Sequence, residues 1–283
     1  MWYVLQKART NLQMNHMGNM AGLARVAAAA IVLLASPARA AADDPMQSPL
    51  WDMLAAKYLP GGKIVHDPAV KVVVPSIVEN QAQVPITADA RGVPNVVKFV
   101  VIADLNPIQH VLTLTPDRAE PYVAFRLKVE QGTPVRAAAL TADGVWHVGS
   151  VFLDAAGGGC SAPAEARKKP DWASTLGEAR GRIWRTPDGA ARLRLRVKHP
   201  MDTGLAKDNT PAFYVERLDV KDQAGSALGA LEMFEPVGED PTVTLMVRIP
   251  RGAAAVIVDG RDNNGSVFRS RIATPHGASD VSQ

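Results

Sequence analysis

Hydrophobic and polar residues alternate with a period of two through two long stretches of the chain, residues 70–153 and 193–272. Successive side chains of a β-strand point to opposite faces of the sheet, so this alternation predicts half-buried strands. Turn sequences separate the strands, at residues 143–144, 222–225 and 262–265. About six short strands in each stretch, without helices between them, predict two small antiparallel β-sandwiches and an all-β fold.

One segment before the first stretch has a helical pattern instead. Hydrophobic residues recur at helical spacing from Trp51 to Leu59, and Ser48-Pro49 is typical of an N-cap followed by proline in the first turn. Pro60 and the two glycines after it end the pattern. The sequence therefore predicts one short amphipathic helix that leads into the first sandwich.

Residues 161–190 interrupt the alternation. They contain three prolines, the basic triplet at 167–169 and a weak helical repeat at Trp172, Leu176, Ala179 and Ile183. We interpret this segment as a linker with one weak helix. The predicted organisation is a first sandwich with its leading helix at 41–160, this linker at 161–190, a second sandwich at 191–275 and a tail at 276–283.

The first 40 residues have the pattern of a signal peptide. Basic residues precede an apolar run of about ten residues from Val26, and Ala38-Arg39-Ala40 matches a cleavage site. A run of that length is too short to cross a bilayer as a helix. We predict export to the periplasm, cleavage after Ala40 and no membrane attachment afterwards.

Removal of the signal peptide changes the charge balance. Residues 1–40 hold four basic and no acidic residues, so 27 basic and 28 acidic residues remain and the net charge is −1. A chain with that balance is not expected to bind nucleic acid. Basic residues still cluster at Arg192, Arg194, Arg196 and Lys198, which we interpret as the solvated face of a strand.

Cys160 is the only cysteine of the chain, and Gly157, Gly158 and Gly159 precede it directly. A lone thiol in an oxidising compartment is either buried and inert or available to a partner. Glycines are poor neighbours for a core residue, and a segment without side chains can enter a narrow site. We predict that residues 157–159 form a flexible arm that presents the Cys160 thiol.

The other candidate residues have simpler interpretations. The histidines outside the signal peptide show no ligand spacing and one cysteine cannot build a thiolate cluster, so no metal site is expected; they are His66, His110, His147, His199 and His276. His199 is assigned a structural role, and Asp104 and Asn106 a turn before Pro107. For Asp202 and Asp208 a turn or a contact between the domains is expected. The sequence contains no G-x-S-x-G motif, P-loop or dinucleotide-binding fingerprint.

Several motifs resemble known families. Residues 74–88, the sequence Asp104-Leu105-Asn106-Pro107 and the Gly-Gly-Gly-Cys segment occur in the order seen in SoxY, a sulfur carrier. The sequence from Arg196 to Leu205 and the turn at 262–265 resemble its partner SoxZ. The chain thus resembles a fused SoxYZ-like carrier of the type associated with quinoprotein dehydrogenases.

This resemblance implies two immunoglobulin-like sandwiches that pair with each other. It also implies a carrier and not an enzyme, with no cofactor beyond a sulfur-containing intermediate of thiosulfate oxidation bound covalently to Cys160, and partner enzymes of sulfur oxidation or a quinoprotein dehydrogenase system. In SoxY the cysteine lies at a free C-terminus, whereas here Ser161 and a second domain follow it. Two alternatives stay open: a non-covalent accessory module of a quinoprotein alcohol dehydrogenase, and a redox sensor that dimerises through Cys160.

Overall fold

The alternating segments form strands in both halves of the chain. A computed structural model describes residues 44–186 and 189–275. The predicted signal peptide and the tail at 276–283 lie outside these residues. The strands of the first half are β1 (Lys63–His66), β2 (Lys71–Val73), β3 (Val84–Asp89), β4 (Val96–Ala103), β5 (His110–Thr115), β6 (Ala119–Leu127), β7 (Thr133–Thr141) and β8 (Val145–Leu153).

The described residues of the second half form seven strands. They are β9 (Ala179–Arg185), β10 (Ala191–Val197), β11 (Val215–Asp222), β12 (Ala227–Met233), β13 (Thr242–Val247), β14 (Ala255–Asp262) and β15 (Val267–Ala273). The turns predicted at 143–144, 222–225 and 262–265 are confirmed. At the last two, the side chains of Asp222 and Asp262 accept hydrogen bonds from backbone amides two and four residues later. The predicted all-β fold of two sandwiches is confirmed.

The two sandwiches are joined edge to edge through both of their sheets. One sheet has nine strands in the order β1-β8-β7-β4-β5-β12-β11-β14-β15, and the other has six in the order β2-β3-β6-β13-β10-β9. The antiparallel pairs β5–β12 and β6–β13 cross from one half to the other. An unpaired edge strand exposes a row of backbone donors and acceptors. The second half satisfies these groups for β5 and β6, so the expected pairing of the two domains occurs at their edges.

The hydrophobic core is continuous across this junction. One cluster of buried side chains includes Phe99 and Leu114 from the first half and Leu231 and Leu245 from the second. Burial of apolar surface stabilises by about 25 cal/mol per Å². A core shared in this way makes each half depend on the other for part of its burial.

The leading helix is confirmed as α1 (Trp51–Tyr58). Its buried residues pack on the outer face of the nine-stranded sheet, against Ile102 and Trp146 among others. The predicted N-cap is wrong: the helix is preceded by Leu50, no side chain caps it, and Ser48 contributes only its carbonyl, which accepts from the amide of Trp51 at 3.2 Å. No helix among residues 44–186 and 189–275 is long and apolar enough to cross a membrane.

The weak helical repeat of the linker does not form a helix. Residues 165–168 form one short 3-10 helix (Glu165–Lys168), and turns follow it. Ala179 and Ile183 lie in β9, where Ile183 is buried and pairs with Leu193 of β10. The second sandwich thus begins inside the segment predicted as linker, because pairing with β10 outweighs a weak local helical pattern.

Candidate functional site

The segment that carries Cys160 lies in the junction between the two halves. It runs from the end of β8 at Leu153 to the 3-10 helix at Glu165. The Cys160 side chain is buried, with the residue only 1% exposed. In this structure the segment is therefore docked, and the flexible arm at residues 157–159 remains a prediction.

Two of the three glycines allow this docking by close backbone approach. A side chain at Gly157 would overlap the carbonyl of Glu130, and one at Gly159 would overlap the carbonyl of Gln81. Gly157 and Gly158 also have positive φ angles of 101° and 87°, which residues with side chains rarely adopt. Gly159 donates a backbone hydrogen bond to Val129 at 2.8 Å. In this structure the glycines fit the segment against its own domain.

The carboxylate of Glu130 holds the segment on the side of the first half. Its Oε2 accepts hydrogen bonds from the amides of Cys160 and Ser161, both at 3.0 Å. Its Oε1 accepts from the Ser161 hydroxyl at 2.8 Å. Hydrogen bonds to an ionised acceptor are roughly twice as strong as neutral ones. Glu130 therefore clamps the cysteine through three charge-assisted bonds.

The second half holds the same segment from the other side. The hydroxyl of Thr203 donates to the carbonyl of Cys160 at 2.5 Å. The ammonium of Lys128, which follows β6, donates to the carbonyl of Met201. Met201 has a positive φ of 51°, an uncommon conformation for a residue with a side chain. The stretch from Arg196 to Leu205, chosen from the sequence for its resemblance, thus contacts the cysteine segment directly.

Cys160 and Lys128 have pKa values displaced from their ordinary ranges. Burial, together with the Glu130 carboxylate, raises the pKa of the Cys160 thiol to about 12, although the Lys128 ammonium acts in the opposite direction. Burial lowers the pKa of Lys128 to about 8, against the opposing charges of Cys160, Asp202 and Glu239. The thiol also lies 3.4 Å from the Lys128 carbonyl, to which it donates. The docked thiol is therefore protonated near neutral pH and is a poor nucleophile.

Asn106 supports the strand extension on which this site is built. Its side chain is buried, donates to the carbonyl of Lys128 at 2.8 Å and accepts from the amide of Glu130 at 3.1 Å. The sequence interpretation gave Asn106 only a turn. The structure adds that it fixes the backbone between the lysine and the glutamate.

His199 and Asp202 occupy the second half's side of the junction. The buried His199 ring accepts from the amide of Met201 at 3.1 Å and packs on Phe213 with ring centroids 4.3 Å apart. Asp202 accepts from the Arg167 guanidinium at 2.6 and 2.8 Å. Asp202 thus contacts the segment that joins the domains, while Asp208 accepts from the amide of Thr210 in an exposed turn.

The sequence interpretation missed Lys128 and Glu130. They sit immediately after a strand of alternating pattern and have no motif of their own. Lys128 lies between the apolar residues Leu127 and Val129, on the side of the alternation that Arg126 shares, so the pattern predicts an exposed lysine there. Among residues 44–186 and 189–275 no group of histidine, cysteine and carboxylate side chains is arranged to hold a metal ion.

Comparison with protein families gives two matches in sequence order. Residues 56–160 match the family described as sulfur oxidation protein SoxY, and residues 183–273 match the family described as sulphur oxidation protein SoxZ. The first match ends on Cys160. No curated protein matches the chain.

Comparison with solved structures gives weak likenesses. The sulfur carrier protein SoxY from Chlorobium limicola f thiosulfatophilum is 21% identical over 37% of this chain and 94% of its own, with a TM-score of 0.33. A glycosyl hydrolase family 2 member from Bacteroides cellulosilyticus is 12% identical over 72% of this chain and 28% of its own, with a TM-score of 0.21.

Proposed function

The chain is a fused SoxYZ-like protein, a SoxY domain followed by a SoxZ domain, and on that premise we propose that Cys160 carries a sulfur-containing intermediate covalently in the periplasm. Separate enzymes would act on the bound group, so the protein is a carrier and not a catalyst. The observation that carries the proposal is that the sole cysteine ends the SoxY match and is gripped by both domains.

The chemistry of a thiol suits this role. Attachment of thiosulfate, for example, forms one S–S bond, releases the thiol proton and removes two electrons, which a partner enzyme must accept. The resulting S–S bond can be cleaved by exchange, in which an incoming thiolate bonds to one sulfur atom and the other leaves as a thiolate. The carrier needs only one accessible sulfur atom at the time of transfer.

Transfer requires release of the docked segment. The Cys160 thiol is protonated and 1% exposed while Glu130 and Thr203 hold it. Undocking returns the thiol to water, where its pKa falls towards the ordinary range and thiolate forms more readily. Between Cys160 and the fixed helix at Glu165 the extended chain spans about 17 Å, at roughly 3.5 Å per residue. We infer that the docked state protects the sulfur and that the undocked loop delivers it.

Intact mass spectrometry of the exported protein tests covalent carriage. Cells grown with thiosulfate should yield mature chains with sulfur-containing additions that a reductant removes, and Cys160→Ser should carry none. Ser161→Ala is the matched control, since it retains the thiol and loses only one bond to Glu130. A bare thiol under all growth conditions, together with full activity of Cys160→Ser, would end the proposal.

The same spectra separate the two alternatives. An accessory module of a quinoprotein dehydrogenase would leave Cys160 unmodified and dispensable. A redox sensor would show reductant-sensitive dimers as its sole modified form.

A further inference from the structure

A cluster of arginines covers the outer face of the six-stranded sheet in the second half and at the junction. We call it the arginine face; its members are Arg126, Arg180, Arg182, Arg192, Arg194 and Arg196. Five of them, all but Arg192, line an open depression of about 610 Å³ together with Lys169. We propose that this face is a docking surface for a carboxylate-rich patch of a partner protein.

The register of the strands places like charges directly opposite one another. Arg182 of β9 pairs with Arg194 of β10, and Arg180 pairs with Arg196. Like charges in directly opposed positions of a sheet are destabilising. An anionic surface bound to this face would reduce the repulsion between the opposed arginines.

Carboxylates of the chain itself compensate only part of this charge. Arg196 and Lys169 share Asp240, at 2.7 and 3.5 Å. Among residues 44–186 and 189–275, the side chains of Arg126, Arg182 and Arg194 have no ion-pair partner. Since residues 41–283 carry a net charge of −1, the positive face is a local feature and not a property of the whole domain pair.

The dimensions of the arginine face favour a protein surface over a small anion as its ligand. From Arg192 to Arg196 the face extends about 14 Å along β10, at roughly 3.4 Å per residue. From β9 to β6 it crosses three strand gaps, about 14 Å in all. A single inorganic anion would contact only a small part of this area.

Trp184 adds a second signature of an interface. It is 36% exposed and lies opposite Arg192, with the guanidinium carbons of Arg182 and Arg192 at 5.2 and 5.7 Å from its ring. Arginine and tryptophan are the residues most enriched among those that dominate binding energy at protein interfaces. The tryptophan supplies apolar contact area within a charged surface.

The face adjoins the segment that follows Cys160. Glu239, which lines the same depression, accepts from the amide of Ala166 at 3.1 Å, and Lys169 follows the 3-10 helix directly. A partner bound here would contact the chain within ten residues of the thiol. The proposal concerns binding alone and holds whether or not Cys160 carries sulfur.

Binding of labelled poly-L-glutamate to the full mature chain tests the docking surface. The variant Arg182→Gln with Arg194→Gln should bind about fivefold more weakly, because it removes two exposed charge contacts. The control Arg251→Gln with Arg271→Gln changes the net charge equally on exposed sites outside the face and should change affinity less than twofold. Affinity should also fall steeply with salt.

Three results would overturn the proposal. One is an equal loss of affinity in the test and control variants. Another is displacement of the polymer by sulfate at matched charge concentration, which indicates a simple anion site. The third is tighter binding of a DNA oligonucleotide through the same arginines. If the first variant fails to fold, Arg126→Gln with Arg192→Gln removes two charges from the same face in separate strands and tests the same statement.

Discussion

Two buried cations of the first half, Arg136 and Lys128, are held in contrasting ways. Arg136 is fully buried and donates five hydrogen bonds of 2.6 to 2.9 Å to the carboxylates of Asp44 and Asp104. Lys128 is 4% exposed and donates to the carbonyl of Met201 instead of a carboxylate. The first cation is neutralised within its site, whereas the second is not.

The difference indicates that the two cations have different roles: Arg136 stabilises the fold, and Lys128 belongs to the cysteine site. The Arg136 guanidinium also stacks 4.0 Å from the ring of Trp51, so it fastens the leading helix to the sheet. The Lys128 site has a lowered lysine pKa and a raised cysteine pKa side by side, a pattern that is common at functional sites. A site whose charges are incompletely paired is easier to open than one whose charges are satisfied.

The largest expected effect is a difference in the free energy of unfolding between variants of the two cations. Arg136→Met should lower the free energy of unfolding by about 3–5 kcal/mol, since it leaves buried carboxylates without a partner. Lys128→Met should cost less than about 1 kcal/mol, because it removes a charge whose burial is itself unfavourable. Urea denaturation of both variants gives the comparison. Equal losses would show that Lys128 is as structural as Arg136.

The next effect is the pH dependence of stability at the junction. Burial lowers the pKa of both His199 and His110 to about 4. The unfolded chain therefore binds more protons than the folded one below about pH 6.5, so stability should fall by about 2–5 kcal/mol between pH 6.5 and 4. In His199→Asn this fall should be roughly halved, because His110 remains. If the stability of His199→Asn falls by the same amount, groups other than His199 cause this pH dependence.

Release of Glu130 should open the cysteine site without unfolding the protein. Glu130→Gln replaces the charged acceptor and removes a charge that raises the Cys160 pKa, so alkylation of Cys160 by iodoacetamide at pH 8 should accelerate about tenfold. Glu165→Gln is the matched control, since within residues 44–186 and 189–275 the Glu165 carboxylate pairs only with the exposed Lys168. An unchanged alkylation rate in Glu130→Gln would show that contacts other than those of Glu130 keep Cys160 buried.

The smallest expected effect concerns the hydrogen bond between the second half and the Cys160 segment. Thr203→Val removes the neutral hydrogen bond to the Cys160 carbonyl, and alkylation should accelerate about threefold. Thr175→Val, which removes a hydroxyl bond within the linker, should leave the rate unchanged. A larger effect at Thr203 than at Glu130 would show that the second half is the main clamp.

Much of the fold follows from local pattern, and the errors have local causes as well. The strands, the turns at Asp222 and Asp262 and the leading helix were predictable, because period and turn chemistry are properties of neighbouring residues. The helix of the linker was predicted wrongly, since Ile183 is buried by pairing with a strand that lies later in the chain. The sequence around Ile183 contains no information about its pairing with a later strand.

The sequence by itself determined that Cys160 is the single thiol, that glycines precede it and that two sandwich domains flank it. Only the tertiary structure decided that the thiol is docked, because Lys128 and Glu130, which follow β6, and Thr203 of the second half contact it from distant parts of the chain. Burial and charge at one atom depend on groups 30 to 43 residues away in the chain. The same glycines that are compatible with a free arm also permit close packing, and long-range contacts alone select between these states.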